Sequence, residues 1–334
     1  MCGIVGFTGK QNAAPILLEG LKKLEYRGYD SAGIAVAQDG VISVSKVSGR
    51  IANLCEKTED GKTLPGFSGI GHTRWATHGA PTDANAHPHM SCDGRFSVVH
   101  NGIIENYMAL REELTANGYT FSSQTDIEVI VHLIEMYYHG DFKKAVMRAT
   151  SRLTGSYALG VLCADCPGKI MAVREASPLI LGIGVGENFF ASDVTALVAY
   201  TRNALYLDDG EFAELTSESI TVYDCTGAVI HKPVSRITWS IEAAEKGGYE
   251  HFMLKEIMEQ PRAVKAALAP RVHENHIQLD DFSFTAEELR SIRKIVITAC
   301  GSAYYAGCAG KYAIEKLCHI PVDVQLASEL RYGE

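Results

Sequence analysis

An α/β fold of layered sheets and helices is what the sequence predicts, and three observations predict it. Short apolar or alternating runs, among them Ile4 to Phe7 and Phe96 to His100, are separated by amphipathic stretches with the helical repeat. From Ser156 to Ile230 strand-like runs dominate, set between Gly and Pro punctuation. Between Lys294 and Leu326 a strand, a Gly-Ser loop, a helix and a second strand spell a βαβ unit.

The 334 residues suffice for about two domains, each with a sizeable core, and no internal repeat is evident. With 46% hydrophobic and 21% charged residues the composition is that of an ordinary soluble globular chain. No window approaches the roughly 18 apolar residues of a membrane span, and Met1-Cys2-Gly3 lacks the basic start of a signal peptide, so a cytoplasmic protein with no membrane partner is expected. A net charge of -9 without any basic run argues against nucleic acid, whose binding depends on neutralising phosphates. Nine cysteines, an odd and scattered count, suit free thiols in a reducing compartment. Cys163 and Cys166 have CxxC spacing but no second pair, and Pro167-Gly168 behind them makes a β-turn a better reading than zinc. His72, His78, His87, His89 and His100 crowd one stretch without a recognised metal spacing, so neither a metal nor a cofactor is expected.

Taken in order, the first element is Ile4 to Phe7, a short buried strand directly behind Cys2-Gly3. Cysteine is small enough for Met1 to be trimmed, which would leave a thiol and a free α-amine on one residue. That amine, with a pKa of roughly 7.7 to 8.0, can take the thiol proton. Cys2 at a disordered end, with no role, is the alternative reading. Ala13 to Leu24 puts Ile16, Leu17, Leu21 and Leu24 on one face and predicts a helix packed on a sheet. The segment Leu24 to Gly33 is richer in Arg, Asp and Tyr than a connector needs. Its Arg27 and Asp30 either pair within a structural loop or serve a site. Ile34 to Ala37 and Val41 to Val47 read as a hairpin around Asp39-Gly40.

Residues Gly71 to Gly79 combine a guanidinium, an indole, two hydroxyls and two imidazoles. Arg74 is suited to grip a carboxylate bidentately. An isolated Trp75 belongs in a core. Beside the turn Gly79-Ala80-Pro81, however, the segment reads as a loop closing over a ligand. The strand Phe96 to His100 runs into Asn101-Gly102, a common hairpin turn, but the next residues predict a helix through Leu114 instead of a returning strand. A side-chain amide beside an unhindered glycine N–H suits an oxyanion. Asn117-Gly118 is a helix C-cap signal. Thr125 to Glu128 matches a capping box opening a helix with Ile127, Ile130, Val131 and Ile134 inward. Asp126 there either favours the helix dipole or receives a substrate ammonium.

Four segments together resemble the glutamine-fructose-6-phosphate aminotransferase family: Met1 to Gly6, Leu24 to Gly33, His72 to Gly79 and Val99 to Asn106. Met-Cys-Gly-Ile alone would equally suit asparagine synthetase or the amidotransferase of purine synthesis. Arg27-Gly28-Tyr29-Asp30 separates them, since those families carry Arg-Gly-Pro-Asp and Arg-Gly-Gln-Asp. The resemblance implies a class II glutamine amidotransferase domain over 2–240, an αββα sandwich of the N-terminal-nucleophile hydrolase type. It also implies a helical linker over 241–285 and the start of a parallel-sheet sugar isomerase domain over 286–334. It makes Cys2 the nucleophile, and Asn101 with Gly102 the oxyanion hole. Arg74 becomes the partner of the glutamine α-carboxylate and Asp126 the partner of its ammonium. Thr77 and His78 fall in the pocket wall, and Trp75 becomes the gate for ammonia.

After the strand-rich stretch, 241–268 reads as a charged, helical connector around Pro261. In the βαβ unit the loop Cys300-Gly301-Ser302-Ala303 lies at a helix start, which can hold phosphate. The family often has Thr-Ser after Cys-Gly, so Ser302 is left as the phosphosugar ligand, Ala303 having no hydroxyl. Two strands and one helix cannot cover a parallel sheet, so a chain cut within the second domain is expected at Glu334. A whole enzyme of this family would move ammonia from glutamine to fructose 6-phosphate and form a homodimer through its sugar isomerase domains. The fragment would keep at most glutaminase activity. Amination of a different phosphosugar, or an inert phosphosugar sensor, are the competing expectations.

Overall fold

The computed structural model describes residues 2–238, 248–274, 276–279 and 284–333. Met1, and the first part of the helix expected over 241–268, lie outside them. Two compact units divide the chain, one ending at Gly248 and the other starting at Tyr249.

The first unit opens with β1 (Gly3–Thr8), α1 (Ala13–Leu24), β2 (Ser31–Gln38), β3 (Val41–Ser48), α2 (Ile51–Lys57) and β4 (Ser68–Arg74). There follow β5 (His89–Met90), β6 (Phe96–Ile104), α3 (Tyr107–Ala116), α4 (Glu128–Tyr137) and α5 (Phe142–Thr150). The strand-rich end holds β7 (Gly155–Cys163), β8 (Ile170–Glu175), β9 (Ile180–Ile183), β10 (Asn188–Ala191), β11 (Asn203–Tyr206), β12 (Glu211–Leu215), β13 (Ile220–Tyr223), β14 (Val229–Ile230) and β15 (Ser235–Arg236). One antiparallel sheet runs β15-β11-β9-β10-β1-β4-β2-β3, and a second runs β14-β13-β12-β8-β7-β6-β5.

Alternation along each strand decides how these sheets stack. Ile4, Ile70, Val99, Ala158, Leu162, Ala172 and Phe190 from both sheets meet in one buried cluster, so two sheet faces pack on each other. Val5 and Phe7, of opposite parity on β1, instead join Leu17, Leu21 and Leu24 of α1. Phe96 and Val98 join Ile130, Leu133 and Ile134 of α4 and Ala145 of α5. Helices therefore cover both outer faces, giving the expected αββα layering. Gly6 is required at the centre: a Cβ there would lie 1.8 Å from the Phe190 ring.

Three local expectations need correction. The strand at Phe96 does not stop at His100 but carries Asn101-Gly102 within β6, and the helix begins only at Tyr107. Pairing with β7 continues through Ile104 opposite Gly155, and that pairing overrides the local turn signal. The Thr125 to Glu128 capping box does not form: α4 has no side-chain cap at Ile127. Glu128 instead accepts from the backbone N–H groups of Ser122 and Ser123, at 2.7 and 2.8 Å, and from both their hydroxyls. Gly71 to Arg74 are strand, not loop, and only the residues after Arg74 leave the sheet.

In the second unit α6 (Phe252–Leu268) passes through Pro261 and is followed by β16 (Val272–His273), β17 (His276–Ile277) and α7 (Ala286–Ser291). Thr285 and Glu288 form a reciprocal capping box at the start of α7. Then β18 (Ile295–Ala299), α8 (Gly301–Cys318), β19 (Val322–Leu326) and α9 (Ala327–Tyr332) complete the unit. β18 and β19 pair in parallel across α8, the βαβ unit read from the sequence.

Candidate active site

Strand parity collects the polar residues at one end of the sandwich. Cys2 precedes Ile4 by two positions, His72 and Arg74 continue the parity of Ile70, and Asn101 that of Val99. Ile4, Ile70 and Val99 all point between the sheets, so these four side chains project into the same layer where the hydrophobic filling stops. The register brings β1 and β4 together as neighbours, with Ile4 opposite His72 and Gly3 opposite Thr73.

The Cys2 sulfur is held by the chain just after β4. The Trp75 N–H donates to Sγ at 3.2 Å, and Sγ lies 3.5 Å from the Trp75 carbonyl. Burial pushes the Cys2 thiol up from its ordinary range, and the Trp75 N–H and the Arg74 guanidinium only partly oppose this. Asn101 lies beside it: Nδ2 donates to the Cys2 carbonyl at 3.0 Å, while Oδ1 is 3.0 Å from His72 Nε2. A carbonyl can only accept, so the amide orientation is fixed, and His72 must carry its proton on Nε2 to donate to Oδ1. His72 is fully buried and its pKa falls to about 3, so this donor is a neutral imidazole. It stacks on His87 at 4.0 Å between ring centroids, and His87 in turn contacts His89 and His100. Burial lowers the pKa of His89 to about 3 and that of His87 and His100 in the same direction. Of the histidines that crowd the sequence, His72, His87, His89 and His100 thus form a neutral, packed layer beneath the site.

Gly102 has φ +131, and a Cβ there would come within 1.9 Å of the Ser156 carbonyl oxygen, so both conformation and space demand glycine. Asp126 Oδ2 accepts from the Ile104 N–H at 2.9 Å, tying the segment before α4 to the end of β6. Arg74 is buried, and its guanidinium donates to the carbonyls of His78, Gly79 (3.3 Å) and Ala80 (3.4 Å).

Two cavities share Cys2, Trp75, Thr77 and Gly102. One, of 320 Å³, is also lined by Arg27, Asn101, Ile103, Ser156 and Ser192. The other is a cleft of 20 Å³ with Arg74 and Asp126 in its wall, room for about one water. Trp75 is half exposed and meets Tyr29 edge-on at 5.5 Å, flanking the opening instead of filling a core. The ring of His78 turns to Tyr107, 5.8 Å away, and only its carbonyl reaches Arg74. Ser302 lies in the second unit, in the first turn of α8 and exposed to solvent.

Arg27 and Asp30 do not pair with each other. Arg27 binds Asp193 at 3.1 Å and the Ser192 carbonyl, while Asp30 accepts from the Ala76 N–H at 2.9 Å. Both brace the walls of the site. The role of His72 behind Asn101 was missed from sequence. Its signal was positional, since it precedes Arg74 by two residues on one strand and so shares its face.

A family model described as "Glutamine amidotransferase domain" matches residues 72–199. Among curated relatives, the glutamine--fructose-6-phosphate aminotransferase [isomerizing] of Clostridium tetani is 54% identical over 99% of this chain and 55% of its own length. That of Clostridium acetobutylicum is 55% identical, with 100% and 55% coverage, and that of Pyrococcus horikoshii 51%, with 99% and 55%. The chain thus spans about half the length of the curated relatives it matches. Among solved structures, the glutamine phosphoribosylpyrophosphate amidotransferase of B. subtilis, complexed with ADP and GMP, superposes with a TM-score of 0.61 at 20% identity, covering 97% of this chain and 65% of that one. A structure described as the allosteric regulatory enzyme of purine biosynthesis gives 0.63 at 20% identity, covering 98% and 80%. At such identity these two speak for the fold.

Proposed function

Because the chain belongs to the glutamine-fructose-6-phosphate aminotransferase family, we propose that its first unit hydrolyses glutamine to glutamate and ammonia with Cys2 as nucleophile. The observation that carries this reading is the setting of Cys2, whose carbonyl accepts from the Asn101 amide and which lines one cleft together with Arg74 and Asp126. A glutamine laid across that cleft has its α-carboxylate at a guanidinium, its ammonium at a carboxylate and its side-chain amide at the thiol. Sγ attacks the amide carbon, and its proton passes to the α-amine that trimming of Met1 would leave on Cys2. The oxyanion takes the Asn101 Nδ2 donor, now resting on the Cys2 carbonyl, together with the Gly102 N–H. As the C–N bond breaks, the ammonium returns its proton to the departing nitrogen and ammonia leaves. Water then hydrolyses the thioester, releasing glutamate and restoring the thiol.

The narrow cleft implies an opening step. In this structure the carbonyls of His78, Gly79 and Ala80 occupy the Arg74 fork. A substrate carboxylate, being charged and bidentate, displaces neutral carbonyls from a guanidinium, and the released 75–80 segment then closes over the bound amino acid. Thr77 lines both cavities and meets the substrate there, His78 acts through its carbonyl, and Trp75 at the mouth controls where ammonia leaves.

For the longer protein that this chain's relatives suggest, we place the glutaminase over 2–240, a helical linker over 241–285 and the start of a sugar isomerase domain over 286–334. Ammonia passes to fructose 6-phosphate, with Ser302 at the start of α8 as a phosphate contact, and the sugar isomerase domains form a homodimer. All nine cysteines are free, which suits a reducing compartment such as the cytoplasm. The test is glutamate and glucosamine 6-phosphate release by the purified full-length protein, with and without fructose 6-phosphate. Glutamate release that Cys2→Ala abolishes supports the proposal. Release unaffected by Cys2→Ala overturns the nucleophile, and release without amino sugar overturns the acceptor.

A further inference from the structure

Away from the Cys2 site, the turn between β5 and β6 brings Cys92 against one face of α4. Its sulfur lies 3.7 Å from His132 Nδ1, and Nδ1 lies 3.5 Å from Glu135 Oε2. The three donor atoms fall within 4.8 Å of one another. Zinc bonds of about 2.3 Å to sulfur, 2.0–2.1 Å to nitrogen and 2.0–2.2 Å to oxygen, set at tetrahedral angles, give an S···N edge of about 3.6 Å and an N···O edge of about 3.4 Å. Both observed separations match those edges. We propose that Cys92, His132 and Glu135 form a zinc site.

The surroundings fit a metal ligand set. Glu135 is oriented before any ion arrives, because its two oxygens accept the backbone N–H groups of Cys92 and Asp93 at 2.9 and 3.2 Å, and Oε2 keeps a second lone pair. The thiol is held toward the group by the Thr120 carbonyl and hydroxyl, each 3.6 Å away. His132 is 1% exposed, yet its Nε2 has no hydrogen-bond partner and points at Glu128 Oε1, 3.8 Å away. When Nδ1 binds a metal, Nε2 carries the proton and turns to such a carboxylate, the usual support behind a ligating histidine. A thiolate and a carboxylate cancel the two charges of the ion, and a mixed S, N, O set selects zinc over magnesium or calcium. Cys92 is exposed, so a water can complete the tetrahedron. The ion would clip the turn that feeds β6, and hence Asn101 and Gly102, to the helix that begins two residues after Asp126.

Cobalt(II) is the direct probe. Titrated into the full chain, it is expected to bind at one equivalent and to show tetrahedral d–d bands with a thiolate-to-cobalt charge-transfer band that zinc removes. Cys92→Ser, at an exposed turn where folding is not at risk, should abolish the charge-transfer band. It should also weaken zinc by at least ~10-fold, the scale on which support residues alone tune such sites. Glu135→Gln, which keeps an acceptor for only one of the two N–H groups and loses the charge that holds the ion, should weaken zinc similarly, while Cys2→Ser and Cys166→Ser keep the band. A band that survives Cys92→Ser, or no binding of zinc at micromolar concentration, would leave His132 as a buried ion-pair partner of the two glutamates and overturn the proposal.

Discussion

Replacing Asn101 separates what holds the site together from what it does. Asn101→Ala removes Nδ2, 3.0 Å from the Cys2 carbonyl, and Oδ1, 3.0 Å from His72 Nε2. Loss of one oxyanion donor lowers kcat by about 10²- to 10³-fold, or about 2.7–4 kcal/mol. KM stays near its starting value, because the donor serves the charge that appears only after attack. A second cost is structural. The Nε2–H of fully buried His72 is left without an acceptor, which costs about 1–3 kcal/mol of stability. Asn101→Asp keeps an acceptor for His72 but supplies no donor, and it sets a second acceptor against the Cys2 carbonyl, so it loses stability for a different reason. Glutamate release against glutamine concentration, with urea unfolding of the same preparations, should show both variants catalytically crippled and both less stable than the parent. If Asn101→Asp kept most of the original kcat, the oxyanion assignment would fall.

Three further outcomes follow from the geometry. Arg74→Lys loses the fork that serves several oxygens at once; KM for glutamine should rise about 10- to 100-fold in initial-rate measurements, from about 1.5–3 kcal/mol of charged hydrogen bonding, with a smaller change in kcat. Gly102→Ala forces φ +131 on a side chain and sets its Cβ 1.9 Å from backbone oxygen; the φ cost alone is about 1–3 kcal/mol, visible as a lower urea midpoint with loss of glutaminase activity. Acid should destabilise the fold through the histidine layer: His72 and His89 have folded pKa values of about 3 against an ordinary 6.5, so the unfolded chain binds more protons between those limits. Stability is therefore fully present above pH 6.5 and falls as pH drops toward 3, by about 1.4 kcal/mol per pH unit for each histidine. Urea midpoints between pH 7.5 and 5 measure this slope, and a flat profile would show that these rings are not held neutral.

The elements legible in the sequence were those fixed by short-range pattern. α1 is marked by its apolar face, the β2–β3 hairpin by Asp39-Gly40, and the βαβ unit by its Gly-Ser loop. Errors came where a distant partner overruled a local signal. Asn101-Gly102 reads as a turn, but nine residues of pairing with β7 draw it into a strand. Glu128 reads as half of a capping box, but two serines upstream offer it four donors. The same divide runs through the site. Arg74, Asn101 and Asp126 stand in polar segments and Cys2 stands directly behind the initiator methionine, so each can be singled out from the sequence. Thr77 lines both cavities, whereas the ring of His78 turns to Tyr107. His72, Ser156 and Ser192 lie within ordinary strands or at their ends, and only the stacking of two sheets gives them a site to face.

Electrostatics then selects the base. Burial holds the thiol above its ordinary range, and the imidazole bonded to Asn101 lies at about 3. An α-amine near pKa 8 is the stronger base by about five pH units, so taking the thiol proton costs about 7 kcal/mol less with the amine than with that imidazole. The buried histidines therefore cannot serve as the base for Cys2, however close they pack, and what they contribute is the direction of the Asn101 amide. The amine is available only if Cys2 is the first residue of the mature chain. A protein that retains Met1 should accordingly bind glutamine normally, because Arg74 and Asp126 are untouched, yet turn it over far more slowly than the trimmed form. Comparing kcat and KM for the two forms, with the N-terminus verified by mass spectrometry, tests this base assignment. Equal kcat would refute it.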